Sequence, residues 1–134
     1  MQETEYGTAI EIGLPFDQAI DAVTAALADQ GFGILADIDV KQTLKKKLNV
    51  EFGEYRILGA CNPPLAYETL NKENNIGLLL PCNVVVQALR EDRSRVAAIN
   101  PMAAMSIVKN PAIEPIAEKV HIKLRAALNA LQSR

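Results

Sequence analysis

Three observations predict an α+β fold for this 134-residue chain, a largely antiparallel sheet with helices packed on one face. Apolar patterns of period two and period 3.6 alternate along the first half. After residue 75, strand-like segments follow one another without an intervening helix, which breaks the alternation of a doubly wound parallel sheet. The chain then closes on a long amphipathic stripe. No repeat, linker or low-complexity tract divides it, so residues 1–134 read as a single domain. A chain of this length buries about two-thirds of its extended surface, enough for a core without disulfides.

The first strand is expected over Glu5–Gly13, with Tyr6, Thr8, Ile10 and Ile12 on one face. Pro15 suits the first turn of a helix that carries Phe16, Ile20, Val23 and Leu27, and Gly31 suits its left-handed stop. A second strand, Phe32–Ile38, places Phe32, Ile34, Ala36 and Ile38 on one side. Asp39, with Gln42 three residues on, caps a short helix that turns Val40, Leu44 and Leu48 inward and carries Lys41, Lys45, Lys46 and Lys47 elsewhere.

Tyr55–Cys61 reads as a third strand, followed by Asn62 as N-cap and a helix opening on Pro63 and Pro64 with Leu65 and Leu70 inside. Ile76–Leu80 and Asn83–Arg90 read as strands separated at Pro81, since proline cannot donate to a ladder. Glu91–Ser94 is a turn and Arg95–Ile99 its returning strand. Asn110-Pro111 opens the last helix, whose stripe is Ile113, Ile116, Val120, Leu124, Ala127 and Leu131. Met102–Val108, apolar and bounded by prolines, reads as a sheet-edge cover or a subunit contact through Met102, Met105 and Ile107.

Composition narrows the function classes. Apolar residues make up 49% and charged residues 22%, which excludes a disordered chain. A net charge of −2 offers no basic excess for nucleic acid, and three Phe, three Tyr and no Trp leave few platforms for unpaired bases. A single histidine rules out a site needing two imidazoles from one chain. No apolar run approaches the ~20 residues of a membrane helix. The polar, acidic start from Met1 to Gly7 and two cysteines without an export signal point to the cytoplasm and reduced thiols.

The sharpest local feature is a Cys-Asn dipeptide in two proline-marked settings, Cys61-Asn62-Pro63 and Pro81-Cys82-Asn83. Cys61 precedes a helix start, where N–H groups and the dipole would stabilise a thiolate. Buried cysteine is equally at home as a small core hydrophobe, so structural and functional roles both stay open. About twenty residues separate the pair, which is not a local CxxC motif, and two thiols are two ligands short of a closed zinc site, so no metal is expected.

Other constellations are weaker. His121 borders the last helix's stripe and reads as a packed helix histidine. Ser94, Ser106 and Ser133 give a catalytic triad little material. Asp39 is accounted for by capping, and Asp37 reads as solvated. Gly31-Phe32-Gly33 lacks the remaining glycines of a phosphate loop and follows a helix.

Gly31-Phe32-Gly33-Ile34-Leu35, Asp37-Ile38-Asp39-Val40, Tyr55-Arg56-Ile57-Leu58-Gly59-Ala60-Cys61-Asn62-Pro63 and Gly77-Leu78-Leu79-Leu80-Pro81-Cys82-Asn83-Val84-Val85-Val86 together resemble a bacterial and archaeal family, "domain of unknown function 302". The resemblance implies a compact α+β domain and a homodimer, with Cys61, Asn62, Pro63, Pro81, Cys82 and Asn83 matching the family's motif. It implies no activity and no cofactor. The functional expectation is a small dimeric ligand-binding module with its pocket near the two Cys-Asn segments. A thiol-dependent enzyme using Cys61 and Cys82 and an interaction-only domain are the alternatives.

Overall fold

The computed structural model describes residues 1–134. Its strands are β1 (Gln2–Glu3), β2 (Gly7–Ile12), β3 (Gly33–Asp39), β4 (Tyr55–Cys61), β5 (Cys82–Arg90) and β6 (Arg93–Ile99). Its helices are α1 (Phe16–Asp29), α2 (Val40–Leu48), α3 (Pro63–Lys72), α4 (Pro101–Met105) and α5 (Glu114–Leu131). The strands make one sheet in the order β1-β2-β6-β5-β4-β3, every neighbouring pair antiparallel. The α+β expectation holds.

Strand alternation separates two faces. Ile10, Ile12, Leu58, Val84, Val86 and Val96 point to one side and join Val23, Leu27, Leu124 and Leu128 of α1 and α5 in a single buried cluster. The α5 stripe is the expected one, Ile116 through Leu131. A second, smaller cluster of Ile76, Met105, Ile113 and Ala117 closes one end of the molecule.

Local chemistry explains the element ends. After α1, the Gly31 N–H donates to the Ala28 carbonyl and the Phe32 N–H to the Leu27 carbonyl, the paired bonds of a Schellman stop. Gly31 has φ +84°, so its lack of a Cβ is what allows that turn. Asp39 Oδ1 accepts from the Gln42 N–H at 2.9 Å and caps α2. Asn100 does the same for α4, accepting from Met102 N–H.

Five expectations are corrected. Ile76–Leu80 is no strand but part of a 3-10 segment, Asn74–Leu79, in which only Ile76 is buried and no neighbouring strand pairs. A bulge between Ile34 and Ala36 reverses the side-chain parity of β3, so Ile34 faces inward while Ala36 and Ile38 face the other way. α2 buries none of its residues and Leu48 is exposed, because the helix sits beyond the edge of the core. Tyr6 is exposed, since it precedes β2 instead of belonging to it. Met105 is buried in the second cluster, leaving only Met102 and Ile107 exposed in that stretch. Smaller shifts also occur: Pro15 is the N-cap of α1, and a turn separates Pro111 from the start of α5 at Glu114.

Asp37 is exposed, as expected, and is paired with an arginine. Arg56 reaches across from β4, with Nη1 3.1 Å from Asp37 Oδ2 and Nε 3.6 Å from Asp39 Oδ2. The same guanidinium therefore ties the cap of α2 to the sheet. Its Nε is buried without a hydrogen bond, held only by charge.

Candidate functional site

β4 ends at Cys61 and β5 begins at Cys82, whose register partner is Ala60. The two cysteine segments thus meet at one end of neighbouring strands, although some twenty residues separate them. Where β4 leaves the sheet, Asn62 starts α3: its Oδ1 accepts from the Leu65 N–H at 3.4 Å. Its Nδ2 donates to the Gln30 carbonyl at 3.3 Å, at the other end of α1. One buried amide therefore satisfies a helix start and a helix end together.

Between these strand ends, α3 and α5 lies a pocket of about 270 Å³. Ala60, Cys61 and Cys82 form its sheet wall, with Phe32 and Leu35 beside them. Leu65, Ala66, Thr69 and Leu70 of α3 face Ile116, Ala117 and Val120 of α5. Gly77, Leu80 and Pro81 close it on the side of the 3-10 segment, with Met105 behind. No charged side chain lines it.

The polar groups at its wall are engaged within the protein. The amide of Asn62 makes the two bonds just described, and the Thr69 hydroxyl donates to the Leu65 carbonyl at 2.8 Å. The two thiols, both unpaired, are what remains. Burial pushes the Cys61 thiol above its ordinary pKa. Burial, reinforced by the nearby Cys61, pushes Cys82 up to about 11. The expected lowering of Cys61 by the start of α3 is not what the site shows: loss of water acts on this thiol and moves it the other way, toward the protonated form.

Of the six sequence candidates, Cys61, Asn62, Pro81 and Cys82 share the pocket. Pro63 is the exposed first residue of α3 and lies outside it. Asn83 alternates to the opposite face of the sheet and lines a separate depression there. Sequence reasoning missed the walls from α3 and α5. Thr69, Ile116, Ala117 and Val120 carry only the helical apolar period, which is the same for a core contact and for a pocket wall.

Met105 and its neighbours offer no cluster of three or more His, Cys, Asp or Glu side chains suited to a metal ion, nor does any other part of the chain. No helix is long and apolar enough to cross a membrane.

The fold has a solved counterpart. The crystal structure of an uncharacterized conserved DUF302 protein from Bacillus stearothermophilus superposes with a TM-score of 0.86 at 25% sequence identity, over 96% of this chain and 99% of that one. No curated protein matches the sequence. A family model described as "domain of unknown function DUF302" matches residues 8–131, from the start of β2 to the last residue of α5. With nearly its full length inside that match, the chain belongs to the DUF302 family.

Proposed function

We propose that this protein is a homodimeric, single-domain binding module of the cytoplasm whose pocket beside Cys61 and Cys82 takes a small, uncharged, largely apolar ligand. The observation that carries this reading is the pocket's lining. Thirteen of its 17 residues are hydrophobic, none is charged, and its polar side chains are occupied by internal bonds. Such a wall offers burial and shape to a ligand and no ion pair, so a charged group would have to stay at the mouth. Protonated thiols add soft, weakly polar contacts without a charge.

The alternative of a thiol-dependent enzyme asks for a thiol below its ordinary pKa, and burial moves both the other way. An interaction-only domain leaves the pocket without a use.

A neutral solvatochromic dye such as Nile red, whose emission brightens in an apolar site, tests the reading. A Cβ on Gly77 would meet nothing within 4 Å, so Gly77→Phe can fill the pocket from its open side. Wild type should bind the dye saturably, Gly77→Phe should weaken it about tenfold or more, and Asp92→Lys in the exposed β5–β6 turn should leave it unchanged. Equal binding by wild type and Gly77→Phe, or none by either, overturns the proposal.

A further inference from the structure

The sheet face turned away from α1 and α5 carries an unbroken apolar row. Register places Ala9 beside Ala97, Ala97 beside Val85, Val85 beside Ile57, and Ile57 beside Ile38, across β2, β6, β5, β4 and β3. None of these five residues belongs to either hydrophobic cluster. The row grades from small at β2 to large at β3. Over its small half lies a depression of about 290 Å³, lined by Ala9, Ala97 and Val85 and bordered by Tyr6, Tyr55 and Arg95, with no helical residue in its wall.

We infer that this face is the homodimer interface, with a two-fold axis running parallel to β5 above Val85, between the two sheets, so that a second copy's sheet lies on the first. The inference rests on the homodimeric part of the reading above and gives that dimer a location. A two-fold operator maps a surface onto itself, so each residue must suit its image. Rotation about this axis sets Ile57 over the partner's Ala97 and Ile38 over the partner's Ala9, large against small in both cases. It sets Tyr55 over the partner's Arg95 and Gln87 over its own image, where two amides can exchange hydrogen bonds. Matched volumes keep two sheets at their ordinary separation of ~10 Å, and side chains from the large half fill the depression over the small half.

The area approaches what a stable interface needs. Five strands spaced ~4.8 Å and about seven residues long at ~3.3 Å each present roughly 550 Å² of flat sheet. Exposed Tyr6 and Phe52, which packs edge-on against Tyr55 at 6.1 Å, extend it toward the ~800 Å² per partner of a stable interface.

Sedimentation velocity over about 1–100 μM protein, with circular dichroism to check folding, tests the interface. Wild type should be a dimer. Ala97→Leu and Ile57→Ala should each weaken it about tenfold or more, and the double variant, which exchanges large and small across the axis, should restore it. Val85→Lys sets two ammonium groups against each other on the axis and should give a folded monomer. A monomeric wild type overturns the homodimer itself. A dimer that persists in Val85→Lys overturns this interface and leaves the homodimer standing elsewhere. Weakening by the single changes without rescue by the double overturns the two-fold pairing.

Discussion

The side-chain amide of Asn62 occupies the space that a Cβ on Gly31 would enter, its Nδ2 lying 3.0 Å from that position. The same nitrogen donates to the Gln30 carbonyl, so the stop of α1 and the start of α3 share one side chain. The pocket depends on this junction, because Phe32 and Leu65 flank it on either side.

Asn62→Ala removes a cap and a link between helices, and equilibrium unfolding should show a loss of about 1–2 kcal/mol. Asn62→Asp keeps an acceptor for the Leu65 N–H but, ionised, cannot donate to Gln30. At pH 7 it should cost at least as much as Asn62→Ala. A near-native stability for Asn62→Asp would mean the link to α1 contributes nothing.

Gly31→Ala meets both a left-handed backbone and the Asn62 amide, and should cost about 1–3 kcal/mol. Part of that cost is steric and disappears once the amide is gone. A double-mutant cycle with Asn62→Ala should therefore show Gly31→Ala costing less in the truncated background. Strict additivity would show that the two residues do not meet.

A second close approach holds the other cysteine segment. A Cβ on Gly59 would stand 2.7 Å from Pro81 Cγ and 3.3 Å from Ala36 Cβ. Gly59→Ala should destabilise by about 1–3 kcal/mol, and the penalty should shrink in a Pro81→Ala background, where Cγ is absent. Chemical denaturation of the four proteins measures the difference.

Cys82, with its pKa near 11, should resist alkylation at neutral pH in the folded protein and react on unfolding. Linkage gives a matching stability effect. A thiol raised from 9.0 to about 11 keeps its proton in the fold while the unfolded chain loses it, so stability is fully present below pH 9 and falls between pH 9 and 11. The fall attributable to Cys82 is about 2–3 kcal/mol, and Cys82→Ala should flatten that part of the pH profile. An equally steep decline in Cys82→Ala would assign it to other groups.

α2 fully buries no residue and only half-buries Val40 and Leu44, so its cap, the Asp39 carboxylate on the Gln42 N–H, is its main local support. Asp39→Ala should lower amide protection in α2 by about fivefold, equivalent to ~1 kcal/mol, while the β5–β6 amides keep theirs. Uniform loss across the sheet would show that α2 opens only with the whole fold.

Wherever a signal is local, the sequence was sufficient. Asp39 and Asn62 stand at helix starts because a short polar side chain reaches the next turn's N–H, and Gly31 ends α1 because the stop needs positive φ. The α1 and α5 stripes and the β5–β6 hairpin follow from periodicity. Tertiary structure decided the rest. Ile76–Leu80 has strand-like composition, but a strand exists only when a neighbour pairs with it, and none does. Parity in β3 turned on the bulge between Ile34 and Ala36, created by pairing with β4. The pocket joins Cys61 and Cys82 to Thr69 and Val120, brought together by chain reversal, and the thiols' protonation follows from the water they lose there. Caps and periods act within a few residues of chain; register, burial and desolvation belong to surfaces that form only when distant segments meet.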